Sequence, residues 1–377
     1  MKTIRSLSMA AAGLSLGLAA GPVLAQGTTP FKLGTFQQNG REFTGLVLND
    51  TKVVDIAQAN VAYQQRNAGA AAVTFPADMK QLIAGYDAGL GARLAQIAAA
   101  EVAAGAAPYV HRVDGVAILP PVRPAVILNG GANYPEHLAG IQARNAAVAG
   151  AGPGGASAAA APPAPPASKS MPGIWTRPPG DVRPDNPYLF LKSPAVVVGA
   201  NDDVVLPFGR EQLDFECEFA VVIGKRSRRV PVANAADHIF GYTIEFDVSD
   251  RGGRNDRKMG GGPDWLVQKN HDTFGPIGPY IVPKAFMPKP MDTRHFFTLN
   301  GELMQDSNTS RMAHNIYELL SYASGVMTLN PGDIIAAGSP SGTNIERVEQ
   351  RWMRAGDEGV CTIEGIGVQR HRIVAEK

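Results

Sequence analysis

The chain has 377 residues, with 35 Lys and Arg against 34 Asp and Glu, 45% hydrophobic and only 18% charged. That is long enough for two modest domains around real cores and excludes a chain disordered throughout. So balanced a charge offers no field for nucleic acid, and no basic block or base-reading motif occurs, which removes that class of partner. Two cysteines, Cys217 and Cys361, exclude a disulfide framework and a four-thiolate zinc site while leaving one bridge possible, and the seven histidines contain no His-Glu-x-x-His.

In chain order, Lys2 and Arg5 precede an uncharged stretch rich in Ala, Leu and Gly that closes on Val23-Leu24-Ala25, the anatomy of a cleaved secretory signal over residues 1–25. So much Ala, Gly and Ser, with Pro22 near the end, is too weakly apolar for a stable membrane anchor. The mature protein is expected outside the cytoplasm, periplasmic or secreted. From Phe31 apolar residues alternate, with turns at Asn39-Gly40 and Asn49-Asp50, and predict short antiparallel strands. Leu82, Ile83, Leu90, Leu94, Ile97 and Val102 then fall at mostly helical intervals, predicting a helix over 79–104 that stops before Pro120-Pro121. Residues 26–121 thus read as a small mixed α/β N-terminal domain and 122–377 as a larger one. Within it, residues 143–183 are dominated by Ala, Gly and Pro and predict a flexible insertion. From Pro187 onward, apolar β-rich runs are interrupted by one helix, roughly 315–326. The fold class is therefore α+β and β-rich; strand and helix alternate too little for a doubly wound nucleotide fold.

The most informative segment runs from Leu213 to Gly224, because a strand's period of two sends Glu216 and Glu218 to one face and Phe215, Cys217 and Phe219 to the other. Two carboxylates about 6.6 Å apart repel by about 2.5 kcal/mol at an effective dielectric of 20, and a divalent cation between them reverses that sign. Downstream, Glu245 and Asp247 alternate at the end of another apolar strand, and either completes an all-oxygen site suited to magnesium, manganese or calcium rather than zinc. The plainer alternative is the solvated face of an antiparallel strand.

The same segment resembles the fumarylacetoacetate hydrolase family, whose core reads Asp-aromatic-Glu-x-Glu, an apolar run, Gly and Lys, here residues 214–225. Gly241-Tyr242-Thr243 through Asp247 to Arg251, Lys269 with Asp272-Thr273-Phe274-Gly275, Asn300-Gly301-Glu302, Asn330-Pro331-Gly332-Asp333 and Gly338-Ser339-Pro340-Ser341-Gly342 follow in family order. The resemblance implies a mixed β-sandwich roll, usually a homodimer, and Glu216, Glu218 and Asp247 rather than Glu245 as ligands of magnesium or manganese. It implies that Lys269 polarises a substrate carbonyl, and that the turn holding Gly338, Ser339, Pro340 and Gly342 binds an anionic substrate end. Arg251 either pairs with a substrate carboxylate or braces one of the acids. Asn133-Tyr134-Pro135-Glu136-His137 resembles the family's Asn-Tyr-x-x-His, which makes Tyr134 a substrate contact and His137 a general base. The Glu that commonly follows three residues later, to orient the imidazole, is Gly140 here, so the partner is missing unless Asp181 or Asp185 folds back. The implied activity is metal-dependent hydrolysis of a C–C bond in a 1,3-dicarbonyl 2-oxo acid. Its alternatives are an isomerase, hydratase or decarboxylase of a related oxo diacid, or a silent oxo-acid-binding protein.

Overall fold

The structure, a computed structural model, describes residues 28–150, 168–254 and 264–377; the expected leader and the centre of the expected insertion lie outside them. The alternation near the start becomes β1 (Lys32–Gln38), β2 (Arg41–Leu48) and β3 (Lys52–Asp55). Asn39, Gly40, Asn49 and Asp50 turn the chain between them with positive φ, which Asn, Asp and Gly tolerate. Helix α1 (Ile56–Arg66) follows, capped by the Asp55 carboxylate. The helix expected over 79–104 is two, α2 (Met79–Gly85) and α3 (Gly91–Glu101), because Gly89 at φ 118° widens the turn between them. Strands β4 (Val110–Arg112) and β5 (Ala117–Leu119) complete this part.

The rest of the chain runs through β6 (Ile127–Gly130), α4 (Pro135–Gly150), β7 (Leu189–Lys192), β8 (Val197–Val198), β9 (Val204–Leu206), β10 (Leu213–Asp214) and β11 (Cys217–Ile223). It continues with α5 (Ala235–His238), β12 (Ile239–Phe246), β13 (Ser249–Asp250), α6 (Trp265–Lys269), β14 (Gly275–Pro283), β15 (Arg294–Leu299) and β16 (Glu302–Asn308). The last elements are α7 (Ile316–Val326), β17 (Ile334–Ala336), β18 (Glu358–Ile363) and β19 (Gly367–Ala375). Asn315 caps α7, with Glu318 returning the bond.

One long sheet has the order β4-β3-β2-β1-β14-β12-β11-β17-β6-β7, and a second the order β16-β15-β18-β19-β9. Parallel pairs such as β6 with β17 sit among antiparallel ones, so the architecture is the mixed, strand-rich α+β fold that the pattern predicts. The N-terminal strands extend the long sheet: β1 pairs with β14, Leu33 opposite Ile281, and Leu46, Val54 and Ile97 share one apolar cluster with Val222, Ile277 and Ile334. Strand β11 is bonded along both edges, to β12 and β17, and all its residues are buried. Between the sheets Phe215 stacks on Phe297 at 4.6 Å between ring centroids, and a Cys217–Cys361 disulfide ties β11 to β18.

Residues 143–183 differ from the expected undocked loop at both ends. Residues 143–150 finish α4, and 168–183 lie on α7: Trp175, 2% exposed, meets His314 and Tyr322 edge-on, and Arg183 donates to Glu318 at 2.6 Å. One large aromatic anchors a segment whose average composition carries no such signal. Among the described residues no helix is long and apolar enough to cross a membrane.

Candidate active site

Antiparallel pairing puts Glu218 opposite Glu245 and Cys217 opposite Phe246, while the Asp247 N–H donates to the Glu216 carbonyl at 2.9 Å. Directly opposed residues share a face, so Glu216, Glu218, Glu245 and Asp247 all point the same way, and none is more than 5% exposed. The solvated-face alternative therefore fails: β11 is central, and its acids face into the protein. Glu216, Glu218 and Asp247 each bring a carboxylate oxygen within 4.8 Å of the others.

The electrostatics fit a divalent cation. Burial pushes the Glu218 carboxyl well above the usual range, reinforced by Asp247, Glu245 and Glu216; its one resolved donor is the Gly338 N–H at 2.8 Å. Glu216, equally buried, is held well below the usual range because Arg251, Lys269 and His137 outweigh desolvation. Glu245 goes up to about 8 by burial, although Lys192 pulls the other way, and the Asn129 amide donates to it at 2.9 Å. A surplus of buried hard oxygens, one of them poorly compensated, is the donor set of magnesium, manganese or calcium. Glu216, Glu218 and Asp247 would hold the ion, with Glu245 turned to Asn129 and Lys192.

Lys269 ends α6, whose first turn is fixed by the Asp264 carboxylate accepting from Leu266 N and Val267 N. Its ammonium, 2% exposed, donates to Glu216 Oε2 at 2.6 Å and Asp247 Oδ2 at 2.5 Å, and these anions raise its pKa against the pull of burial. Arg251 donates to Asp214 Oδ2 at 2.9 Å and to Glu216, so it braces the acids while one side lines the cleft. Lys192, in β7, was not singled out by the sequence: fully buried, it donates to Asp247 Oδ1 at 2.5 Å and to the Phe274 carbonyl. A lone lysine closing the apolar run Tyr188-Leu189-Phe190-Leu191 was the available signal.

Of these groups Glu216, Arg251 and Lys269 reach a cleft of about 310 Å³, lined also by Gly130, Gly131, Ala132, His137, Ile141, Tyr188, Phe190, Trp265, Ser339 and Ile345. Phe190 and Trp265 stack at 4.5 Å and wall one side. His137, on the first turn of α4, is 5% exposed. Its partner is present after all: Nδ1 lies 2.5 Å from Glu346 Oε1. The Glu346 carboxylate is pinned by the N–H groups of Gly342 and Thr343 at 3.1 Å and by the Thr343 hydroxyl at 2.8 Å. Gly140 is the complement of this arrangement, since a Cβ there would stand 2.6 Å from Glu346 Oε2. The orienting acid thus comes from a distant loop, not from α4. Neither Asp181, paired with Arg183 and Arg177, nor Asp185, whose carbonyl accepts from Arg177, supplies it. Thr343-x-x-Glu346, a capping box, was the legible signal.

Other expected substrate contacts are placed differently. Tyr134 is fully buried with its hydroxyl 3.1 Å from His295 Nε2, away from the cleft wall, because the turn before α4 tucks it into the core. In the 338–342 turn only Ser339 lines the cleft. The Gly338 and Gly342 amides serve Glu218 and Glu346, and the Pro340 carbonyl accepts from Gln305 at 2.9 Å. The two glycine amides hold the site's acids and are not left for a ligand.

A buried acid triad closed over by an imidazole, on a mixed β roll, defines a small-molecule site built for a divalent metal. A model of the fumarylacetoacetate (FAA) hydrolase C-terminal family matches residues 128–374, and the chain belongs to that family. It is 42% identical over 197 residues to an uncharacterized protein of Pyrococcus abyssi, covering 52% of this chain and 84% of that one. It is 40% identical over 192 residues to a mitochondrial oxaloacetate tautomerase of Bos taurus, covering 51% of this chain but only 60% of the tautomerase. Among solved structures, maleylpyruvate hydrolase from Sphingobium sp. SYK-6 aligns with a TM-score of 0.61 at 26% identity, over 92% of this chain and 100% of that one. That hydrolase has also been solved with manganese(II) and pyruvate.

Proposed function

We propose that the protein is a metal-dependent hydrolase that cleaves a C–C bond in a 1,3-dicarbonyl 2-oxo acid of the acylpyruvate type. The observation that carries this reading is that His137, oriented by Glu346, lines one cleft with Glu216, which clusters with Glu218 and Asp247. When bound, a magnesium or manganese ion supplies Lewis acidity toward the carboxylate and oxo oxygens of such a substrate. With Nδ1–H donating to Glu346, His137 Nε2 carries the lone pair and takes a proton from water. The water oxygen adds to the acyl carbonyl carbon, the C–C bond breaks, and the electron pair passes to the pyruvyl fragment, which is protonated at carbon and leaves as pyruvate. Lys269 offers positive charge where the substrate oxygens become more negative. The stacked rings of Phe190 and Trp265 offer an apolar wall to the substrate's carbon chain.

Tautomerisation or isomerisation of an oxo diacid is the second reading, favoured by the 40% identity to an oxaloacetate tautomerase. It uses the same base to move a proton without adding water. The silent-binder alternative rested on Gly140, and Glu346 removes its motive. The proposal includes export, on the leader-like residues 1–25, and a homodimer, on the family resemblance; cell fractionation and light scattering test these. The reaction is tested by incubating manganese-loaded protein with acetylpyruvate in heavy-oxygen water. Label in the released acetate supports hydrolysis, whereas no cleavage together with proton exchange on oxaloacetate moves the assignment to the second reading.

A further inference from the structure

Cys217 stands between two of the three clustered acids, Glu216 and Glu218, and its side chain leaves the opposite face of the strand. There it is bonded to Cys361 of β18, across the gap between the two sheets. Both cysteines are fully buried.

The peptide groups of Cys217 are tied to the second sheet as well. Its N–H donates to Gln305 Oε1 in β16 at 3.1 Å, and its carbonyl accepts from His295 Nδ1 in β15 at 3.3 Å. Neither contact ends there. The Gln305 amide donates to Ser339 Oγ at 3.0 Å and to the Pro340 carbonyl at 2.9 Å, in the same turn whose Gly338 N–H serves Glu218. With Nδ1–H donating, His295 Nε2 accepts from the Tyr134 hydroxyl at 3.1 Å, and the Tyr134 carbonyl accepts from the His137 N–H at 3.0 Å. The second sheet thus reaches two acids and the base through one strand residue, and the disulfide is the covalent member of that set.

We propose that the Cys217–Cys361 bridge is a positioning device for the metal centre, so that the protein holds a divalent cation tightly with the bridge formed and weakly as the dithiol. This rests on the reading of Glu216, Glu218 and Asp247 as the ion's ligands. Their oxygens lie within 4.8 Å of one another, and mutual repulsion spreads them wherever the strand is free to shift. Fixing the residue between two of them removes that freedom, and a site arranged beforehand binds more tightly. Forming the bridge takes two electrons and two protons from the two thiols; an external disulfide accepts them by exchange and leaves as two thiols. With the proposed export, the centre fills after the chain has left the reducing compartment.

The test is calorimetry with manganese alone on the oxidised wild type, the wild type refolded as the dithiol, and the Cys217→Ala/Cys361→Ala protein. The last two are expected to bind about tenfold more weakly, a usual size for coupling between two sites. Arg183→Ala, which removes an ion pair to α7 instead, should bind like the oxidised wild type. By reciprocity, saturating manganese should lower the reduction potential of the wild-type pair by about 30 mV, the equivalent of tenfold for a two-electron couple. That potential, read in dithiothreitol redox buffers with and without manganese, needs no variant to fold and is not moved by a bridge that only adds stability. A potential indifferent to manganese overturns the proposal, and so does an Arg183→Ala protein weakened as much as the dithiol. Either result leaves the metal assignment standing, whereas an oxidised wild type that binds no manganese ends both.

Discussion

His137 and Glu346 show how one small side chain redirects a site. Gly140 leaves the space into which the Glu346 carboxylate fits, so restoring a Glu at 140 collides with the group already doing that task. Gly140→Glu is therefore expected to lower kcat and thermal stability. Glu346→Gln keeps the size but loses the charge, and should cost about 10- to 100-fold in kcat, part of what a general base contributes. Manganese affinity by calorimetry should stay unchanged in Glu346→Gln, and an unaltered kcat there would move the base elsewhere. Among the acids, Glu216→Gln, Glu218→Gln and Asp247→Asn should each abolish manganese binding while the fold persists, because each removes one anion from the set that neutralises the ion. Loss of binding only in Glu245→Gln would reassign the third ligand.

At the scale of elements, residues 168–183 and α7 are held together by charge as well as by Trp175. Arg183 donates to Asp181 Oδ2 and Glu318 Oε1, both at 2.6 Å. Burial works to raise the Glu318 pKa, yet His314, Arg183 and the Asn315 N–H outweigh it and pull it down to about 2 from an ordinary 4.5. A carboxyl depressed in the folded state contributes stability that is complete above its unfolded value and is lost as pH falls through the folded one. Arg183→Ala should accordingly lower Tm at pH 7, and the gap to wild type should narrow as pH falls from about 4.5 through about 2, where Glu318 takes up its proton. Melting curves at several pH values check this, and a gap independent of pH would remove the ion pair from the explanation.

For the whole molecule, the Cys217–Cys361 bridge joins the two sheets directly between the positions of Glu216 and Glu218 and closes a separation of 144 residues. Replacing both cysteines by alanine should cost about 2–4 kcal/mol of unfolding free energy, mainly by freeing the unfolded chain. Denaturant midpoints with and without a reductant measure it; coincident midpoints would show that the bridge does not form. The N-terminal strands enter the same accounting, because β1 continues the sheet through β14. Destabilising β1 should be felt at β12, which pairs with the other edge of β14 and leads into Asp247.

Alternation and turn residues by themselves determined the hairpins β1 to β3, the helix capped at Asn315, the α+β class and, through the family motif, the acids of the centre. They act within a few residues, where period and φ preference are local properties. Periodicity also set which face Glu216 and Glu218 share, but what covers that face depends on β12, β17 and the second sheet, and only folding decided that the acids are buried. The His137–Glu346 contact joins residues 209 apart, and Lys192 meets Asp247 across 55. No local pattern encodes such pairs, because they exist only once the sheet's register and the loop after β17 are in place.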